Sequence, residues 1–246
     1  MALFTDLPPA DIELLHAYDS SILDVAQTEG INLDPKLMLS LLELVDKILD
    51  FLIQQGTPTV SLNRRNVGLS DVVTTPSLRR WHALSTLESI YRDAYGGQSN
   101  DRYLERVKQY AALADRAATE YFRMGVGIVQ RPVSIGGTPS APATDGLVYY
   151  ACVSNLDLTG AEGVHGEVVT LNLSTGAEVS MPACHDYPFW NLYLGADRGS
   201  LALQNSSPIA AGSSWNFTGS LSTGLAPGEG QKPDYFVVLN QTRVRG

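Results

Sequence analysis

The spacing of the apolar residues changes once along this chain, near residue 130, and that change constrains the fold more than any other feature. Before it, Leu, Ile, Val and aromatic residues recur at steps of three and four, as on one face of a helix. After it, short apolar or alternating runs lie between glycine-containing turns. Glycine follows the same division, with seven of the 22 before Arg131 and fifteen after it. The pattern predicts an α+β chain in two segregated domains, a helical bundle over 1–131 and an antiparallel β-sandwich over 146–246. The tract RPVSIGGTPSAPATDG between them concentrates Pro, Gly, Ser and Thr, so 132–145 reads as a linker.

Four helices are expected in the first part. One over about Pro8 to Thr28 places Ile12, Leu15, Tyr18, Ile22 and Val25 on one face, with Gly30 beyond its end. The next opens with Asp34 as N-cap and Pro35 at the first helical position. Its polar residues Lys36, Ser40, Glu43, Lys47, Asp50 and Gln54 form one narrow stripe, with Asp46 beside it, and nearly all else is aliphatic or Phe. A helix so apolar around its circumference is covered on more than one side, either within its own domain or by a subunit contact. Leu41, Leu44, Ile48 and Phe51 are therefore candidates for an assembly interface. Residues 56–75 lack sustained periodicity, and a loop of that length is often functional, so Arg64 and Arg65 join the interface candidates. A third helix starts at Pro76, carries Leu78, Trp81, Leu84, Leu87, Tyr91 and Ala94, and stops at Gly96-Gly97. The fourth, capped by Asn100 or Asp101, keeps Tyr103, Val107, Tyr110, Ala114, Ala117, Tyr121 and Met124 at helical spacing until Gly125.

Seven strands are expected after the linker, over 147–154, 167–173, 177–182, 189–195, 200–205, 213–219 and 234–241. Short strands at such spacing are the pattern of an immunoglobulin-like or fibronectin-like sandwich, with Trp190, Tyr193 and Trp215 as core aromatics. Cys152 and Cys184 lie in this half, either as buried thiols or bridged across facing strands.

The formal charge of −9 argues against coating nucleic acid. Residues 1–60 hold ten acids against two bases, Lys36 and Lys47, while 61–131 hold eleven bases against seven acids. That asymmetry suits surfaces that meet complementary neighbours, though differing solvated helix faces would also produce it. The start MALFTDLPPADIELL has neither a basic nor an apolar leader region, and charges interrupt every long apolar stretch, so neither export signal nor membrane span is expected. The N-x-[ST] matches at Asn172, Asn205, Asn216 and Asn240 then read as chance in turn-rich sequence.

No residues assemble into a recognisable active site. His82, beside Trp81 in the third helix, reads as a packed or surface imidazole, and His185 follows Cys184 too directly for the ring to reach the sulfur. GVHGE around His165 offers too few metal ligands, and no C-x-x-C, H-E-x-x-H or phosphate-cradling glycine motif occurs. Gly125-Val126-Gly127 ends a helix where a nucleotide loop would open one. The expectation is a non-enzymatic protein without catalytic residues, cofactor or metal.

The stretch LESIYRDAYGGQSNDRYLERVKQYAALADRAATEYFRMGVGIVQRPV (87–133) resembles the helical part of tailed-bacteriophage virion proteins of the neck, the connector or adaptor class between portal and tail. YYACVSNLDLTGAEG (149–163), FWNLYLG, LALQNSSPIAAGSSW (201–215), Gly224 and GQKPDY (230–235) resemble the immunoglobulin-like or fibronectin-like domains that such proteins often carry. These are packing and turn patterns, so no family site residue transfers. The resemblance implies a homo-oligomeric ring, dodecameric as is usual there, with the portal and tail proteins as partners and the virion as location. DNA would pass through without sequence-specific binding, and Arg243 and Arg245 in the tail TRVRG would dock on an acidic neighbour. The alternatives are a tail, baseplate or head-decoration protein and, from another class, a carbohydrate- or surface-binding module using exposed Trp and Tyr.

Overall fold

The computed structural model describes residues 1–55, 67–96, 101–142, 145–181 and 186–238 of the 246-residue chain. Its five α-helices all lie in the first half, and its sheets are antiparallel. The chain divides into two compact units: Leu3–Gln130 with the segment from Pro233 onward, and Met1–Ala2 with Arg131–Lys232.

In the helical unit, α1 (Ile12–Tyr18) and α2 (Ile22–Glu29) stand where one longer helix was expected. The break falls at Asp19, whose extended backbone ends α1 and whose carboxylate accepts from the Ser21 amide at 3.0 Å. Asp and Ser side chains offer the backbone such alternatives to a continuing helix. Gly30, at φ +66°, closes α2. Helix α3 (Leu33–Gln54) begins earlier than expected, because Asn32 caps it by accepting from the Asp34 amide at 3.2 Å. Helix α4 runs from Pro76 to Gly96. Helix α5 (Leu104–Met124) starts after Tyr103, without the side-chain cap expected from Asn100 or Asp101; Asn100 lies outside the described residues.

Helix α4 is the centre of this unit, packing against α1, α2, α3 and α5. Leu78, Trp81, Leu84, Leu87, Ile90 and Tyr91 are buried along it. It meets α3 through Leu44, Ile48 and Phe51, and α5 through Tyr110, Ala114, Ala117 and Tyr121, in one continuous cluster. The Trp81 and Tyr121 rings lie 5.5 Å apart there, and Phe51 and Phe122 4.7 Å apart.

Gly125, at φ +101°, ends α5 and turns the chain into β1 (Val126–Ile128). The final strand, β9 (Tyr235–Val237), pairs antiparallel with β1 in register Val126↔Val237. Residues 234–238 thus join the helical unit, although 234–241 was expected in the β domain; 239–241 lie outside the described residues. On the other side of β1, Val72 bridges Ile128 and Leu3 bridges Val73, so the expected loop ends in a buried, strand-like segment. Arg64 and Arg65, in the first part of that loop, lie outside the described residues, as do Arg243 and Arg245.

The β unit is built on β2 (Leu147–Leu156), flanked by β3 (Val169–Leu173) and β5 (Phe189–Gly195). Two short strands, β6 (Ala202–Leu203) and β7 (Ile209–Ala210), also pair with β5. A separate two-stranded sheet joins β4 (Glu178–Ser180) to β8 (Ser214–Asn216). Alternation along β2 and β5 sends Ala151, Val153, Trp190, Leu192 and Leu194 into one cluster with Val179, Met181 and Phe217. Cys152, Ser154, Asn191 and Tyr193 take the opposite face.

Residues 132–145 are not a free linker where they are described. Val133 is buried, the Gly136 amide donates to Val164 O at 2.9 Å, and Ser140 exchanges backbone hydrogen bonds with Ser180. Their Pro and Gly content serves close backbone packing: a Cβ at Gly136 would overlap the Val153 carbonyl.

Candidate functional site

Asp19 in the helical unit and the half-buried Glu162 in the β unit each gather several hydroxyl or amide donors, and these are the first places to look for chemistry. In the helical unit, Asp19 accepts from Ser21 Oγ (2.7 Å), Tyr91 Oη (2.6 Å) and Tyr110 Oη (2.9 Å), as well as from the Ser21 amide. Burial pushes its pKa up, but the bonds from Tyr91, Ser21 and Tyr110 together outweigh this and hold the carboxyl at about 2. Tyr91 moves the other way, to about 12, through burial and the bond to Asp19, and Tyr110 is raised by the same causes. The two phenol rings stack at 5.3 Å, fixing both hydroxyls on the carboxylate. Asp19 thus stays ionised, tying α4 and α5 to the break between α1 and α2.

His82 is fully buried and held at both nitrogens. Nδ1 accepts from the Ala10 amide at 3.0 Å, so the ring proton sits on Nε2, which donates to Leu37 O at 3.0 Å. Burial lowers its pKa, with the Leu37 carbonyl acting in the opposite direction. A neutral imidazole with both nitrogens engaged by backbone is a structural link between α3, α4 and the segment before α1.

In the β unit, Glu162 Oε1 accepts from Tyr193 Oη (2.5 Å), Asn191 Nδ2 (3.3 Å) and Ser154 Oγ. Asn205 extends the network, donating to Asn191 Oδ1 and accepting from the Leu192 amide, both at 2.8 Å. A glycan on Asn205 would break these bonds. Burial, then the bond to Glu162, raises the Tyr193 pKa. Cys152 is a buried free thiol pushed up to about 12 by burial and by the Glu162 charge, which leaves it little thiolate. Cys184 and His185 lie outside the described residues. Among the described residues, no three His, Cys, Asp or Glu side chains stand together as metal ligands.

These polar groups are occupied in holding the units together, and the unspent chemistry lies on the outer helix faces. Met38, Leu42, Val45, Leu49 and Ile53 recur along one face of α3. Leu42 is 57% exposed and Ile53 76%, with Met38 and the adjoining Leu39 about half exposed. Exposed Asp46 and Asp50 border this ridge, and Glu43 lies just beyond. The interface residues proposed from sequence fall elsewhere. Leu44, Ile48 and Phe51 face α4 and are covered within the chain, and Leu41 is partly buried against the same core. Ser40, expected in the solvent stripe, is buried with its Oγ 2.5 Å from Thr86 Oγ1 of α4, while Lys36 pairs with Asp93 and Lys47 lies over the Trp81 ring.

On the outer side of α5 the exposed residues include Lys108, Ala112, Arg116, Thr119 and Arg123, with Glu105 and Asp115 as exposed acids. Trp190 is fully buried, and Trp215 is half-buried with its ring 6.1 Å from that of Phe217. Among the described residues no helix is long and apolar enough to cross a membrane. Neither carboxylate was singled out in the sequence; Asp19-Ser20-Ser21 within an apolar stripe was an available signal for the first, and Glu162 had none. No protein-family model, curated protein or solved structure matches the chain.

Proposed function

We propose that the chain is a non-enzymatic structural protein that assembles with copies of itself, and that it serves as a head-tail connector or adaptor in a tailed-phage virion. In this reading it forms a ring between portal and tail that lines or seals the DNA conduit. The observation that carries self-assembly is the exposed apolar ridge of α3 bordered by carboxylates. A ridge of that kind is the expected form of a surface that meets another protein. The connector assignment rests on the resemblance of residues 87–133, and the negative charge of the chain suits a conduit through which a polyanion slides without sticking. We assign the β unit to the immunoglobulin-like or fibronectin-like class; two sheets sharing one apolar layer support that assignment.

Cryo-electron microscopy of the particle that contains the chain tests the proposal. A symmetric ring directly below the portal is the expected result. Density in the distal tail or on the capsid would move the chain to another virion role, and absence from every particle would overturn the virion reading.

A further inference from the structure

We infer that the α3 ridge is covered by the outer face of α5 from a second copy of this chain, in a head-to-tail contact. The inference rests on the self-assembly reading above and names the surfaces that meet. The helices are complementary in charge. Exposed positions of α3 carry Asp34, Glu43, Asp46 and Asp50 against one exposed cation, Lys47. The outer face of α5 carries Lys108, Arg116 and Arg123 against Glu105 and Asp115, with Lys108 paired to Glu105 at 3.0 Å and Arg116 to the half-buried Glu120 at 2.9 Å along the helix.

The shapes fit as well. Large side chains stand out from α3 at Met38, Leu42 and Ile53, whereas the outer α5 stripe is small at Ala112 and Thr119, on either side of Arg116. Large against small lets two helix axes approach, and the aliphatic stems of Arg116 and Arg123 can lie along an apolar ridge while their heads reach carboxylates at its border. Two α3 ridges facing each other would oppose like charges, which disfavours an isologous pair. Two different faces joined in this way propagate from copy to copy, giving a closed ring or an open filament.

The test is sedimentation of the full chain, from micromolar to about millimolar, at low and high salt. Two charge-reversed variants, Asp46→Lys/Asp50→Lys on α3 and Arg116→Glu/Arg123→Glu on α5, are measured singly and mixed, with circular dichroism confirming that each folds. The wild-type chain is expected to associate with rising concentration and less so in high salt. Each variant alone is expected to lose at least about tenfold in association, and the equimolar mixture to regain it, because both of its contacts again join opposite charges. Leu42→Asp is expected to weaken association at either salt level.

A folded wild-type chain that stays monomeric throughout would overturn the inference, leaving the ridge to another protein or to a segment of the same chain. A mixture that fails to recover would overturn it too, as would an α3 variant that associates as well as wild type. If the wild type assembles while none of the variants matters, this pairing is wrong and the self-assembly reading stands. The virion reading itself is decided separately, by the position of the chain in a particle.

Discussion

At Gly30 in the helical unit an added Cβ would meet nothing within 4 Å, whereas at Gly136 in the β unit it would run into the Val153 carbonyl. The contrast is one of degree. Gly30 lies in the left-handed region at a helix end, and Gly125 at φ +101° ends α5 where a Cβ would also come within 3.0 Å of the Val237 carbonyl. In the β unit, Gly136, Gly146, Gly163 and Gly166 let one backbone pass directly against another. The helical unit is assembled by side chains of suitable volume, so its limits are those of core packing. The β unit is assembled partly by main-chain clearance, which no repacking of side chains restores.

The largest expected effect follows from that difference. Gly136→Ala should cost more than about 3 kcal/mol or prevent folding, through forced backbone movement. A urea midpoint close to wild type would show that the β unit can yield where it looks most constrained.

Next comes Asp19→Ala, which leaves the Tyr91 and Tyr110 hydroxyls buried without their acceptor and should cost about 3 kcal/mol in urea unfolding. The same group predicts a pH dependence. Its folded pKa of about 2 lies below the ordinary 3.8, so its contribution is fully present above about pH 4 and is lost as pH falls toward 2. His82, also lowered in the fold, adds an earlier loss that begins as pH drops below its ordinary 6.5, because the unfolded chain takes up that proton first. Urea midpoints between pH 7 and 2 should decline in these two stages, and Asp19→Asn should flatten the lower one.

Gly30→Ala should cost about 1 kcal/mol, the penalty of the left-handed backbone without a clash; a value near that of Gly136→Ala would erase the proposed contrast. The smallest effect is expected at Tyr121, a buried hydroxyl without a hydrogen-bond partner among the described residues. Tyr121→Phe should leave the melting temperature unchanged or raise it slightly, since it removes a desolvated group that gains nothing in return. A clear loss of stability would mean that this hydroxyl has a partner after all.

Helix existence was legible because periodicity is local: Leu78, Trp81, Leu84, Leu87 and Tyr91 announce α4, and Tyr110, Ala114, Ala117 and Tyr121 announce α5. The rank of the helices in the core was not legible. Apolar composition pointed to α3 as the helix covered on several sides, yet it leaves Met38, Leu42 and Ile53 in solvent, while α4 takes the centre despite Arg79, Arg80 and Arg92. Long cationic side chains at the borders of a buried helix can reach outward, so composition alone misjudges burial. Leu44, Ile48 and Phe51, named from sequence, are therefore buried, and the exposed apolar residues lie on another face of the same helix. Strand existence was also largely legible, but strand pairing depends on contacts distant in sequence, and Tyr235–Val237 was expected in the β domain for that reason.

The α+β class, the change of architecture near residue 130, the span of α4 and the end of α5 at Gly125 all follow from local pattern, because spacing and capping act within a few residues. The return of β9 to β1, the joining of Asp19 with Tyr91 and Tyr110, and the exposed side of α3 emerge from the assembled fold alone. Those outcomes depend on which distant segments meet, and the local pattern of a single chain carries no term for that choice.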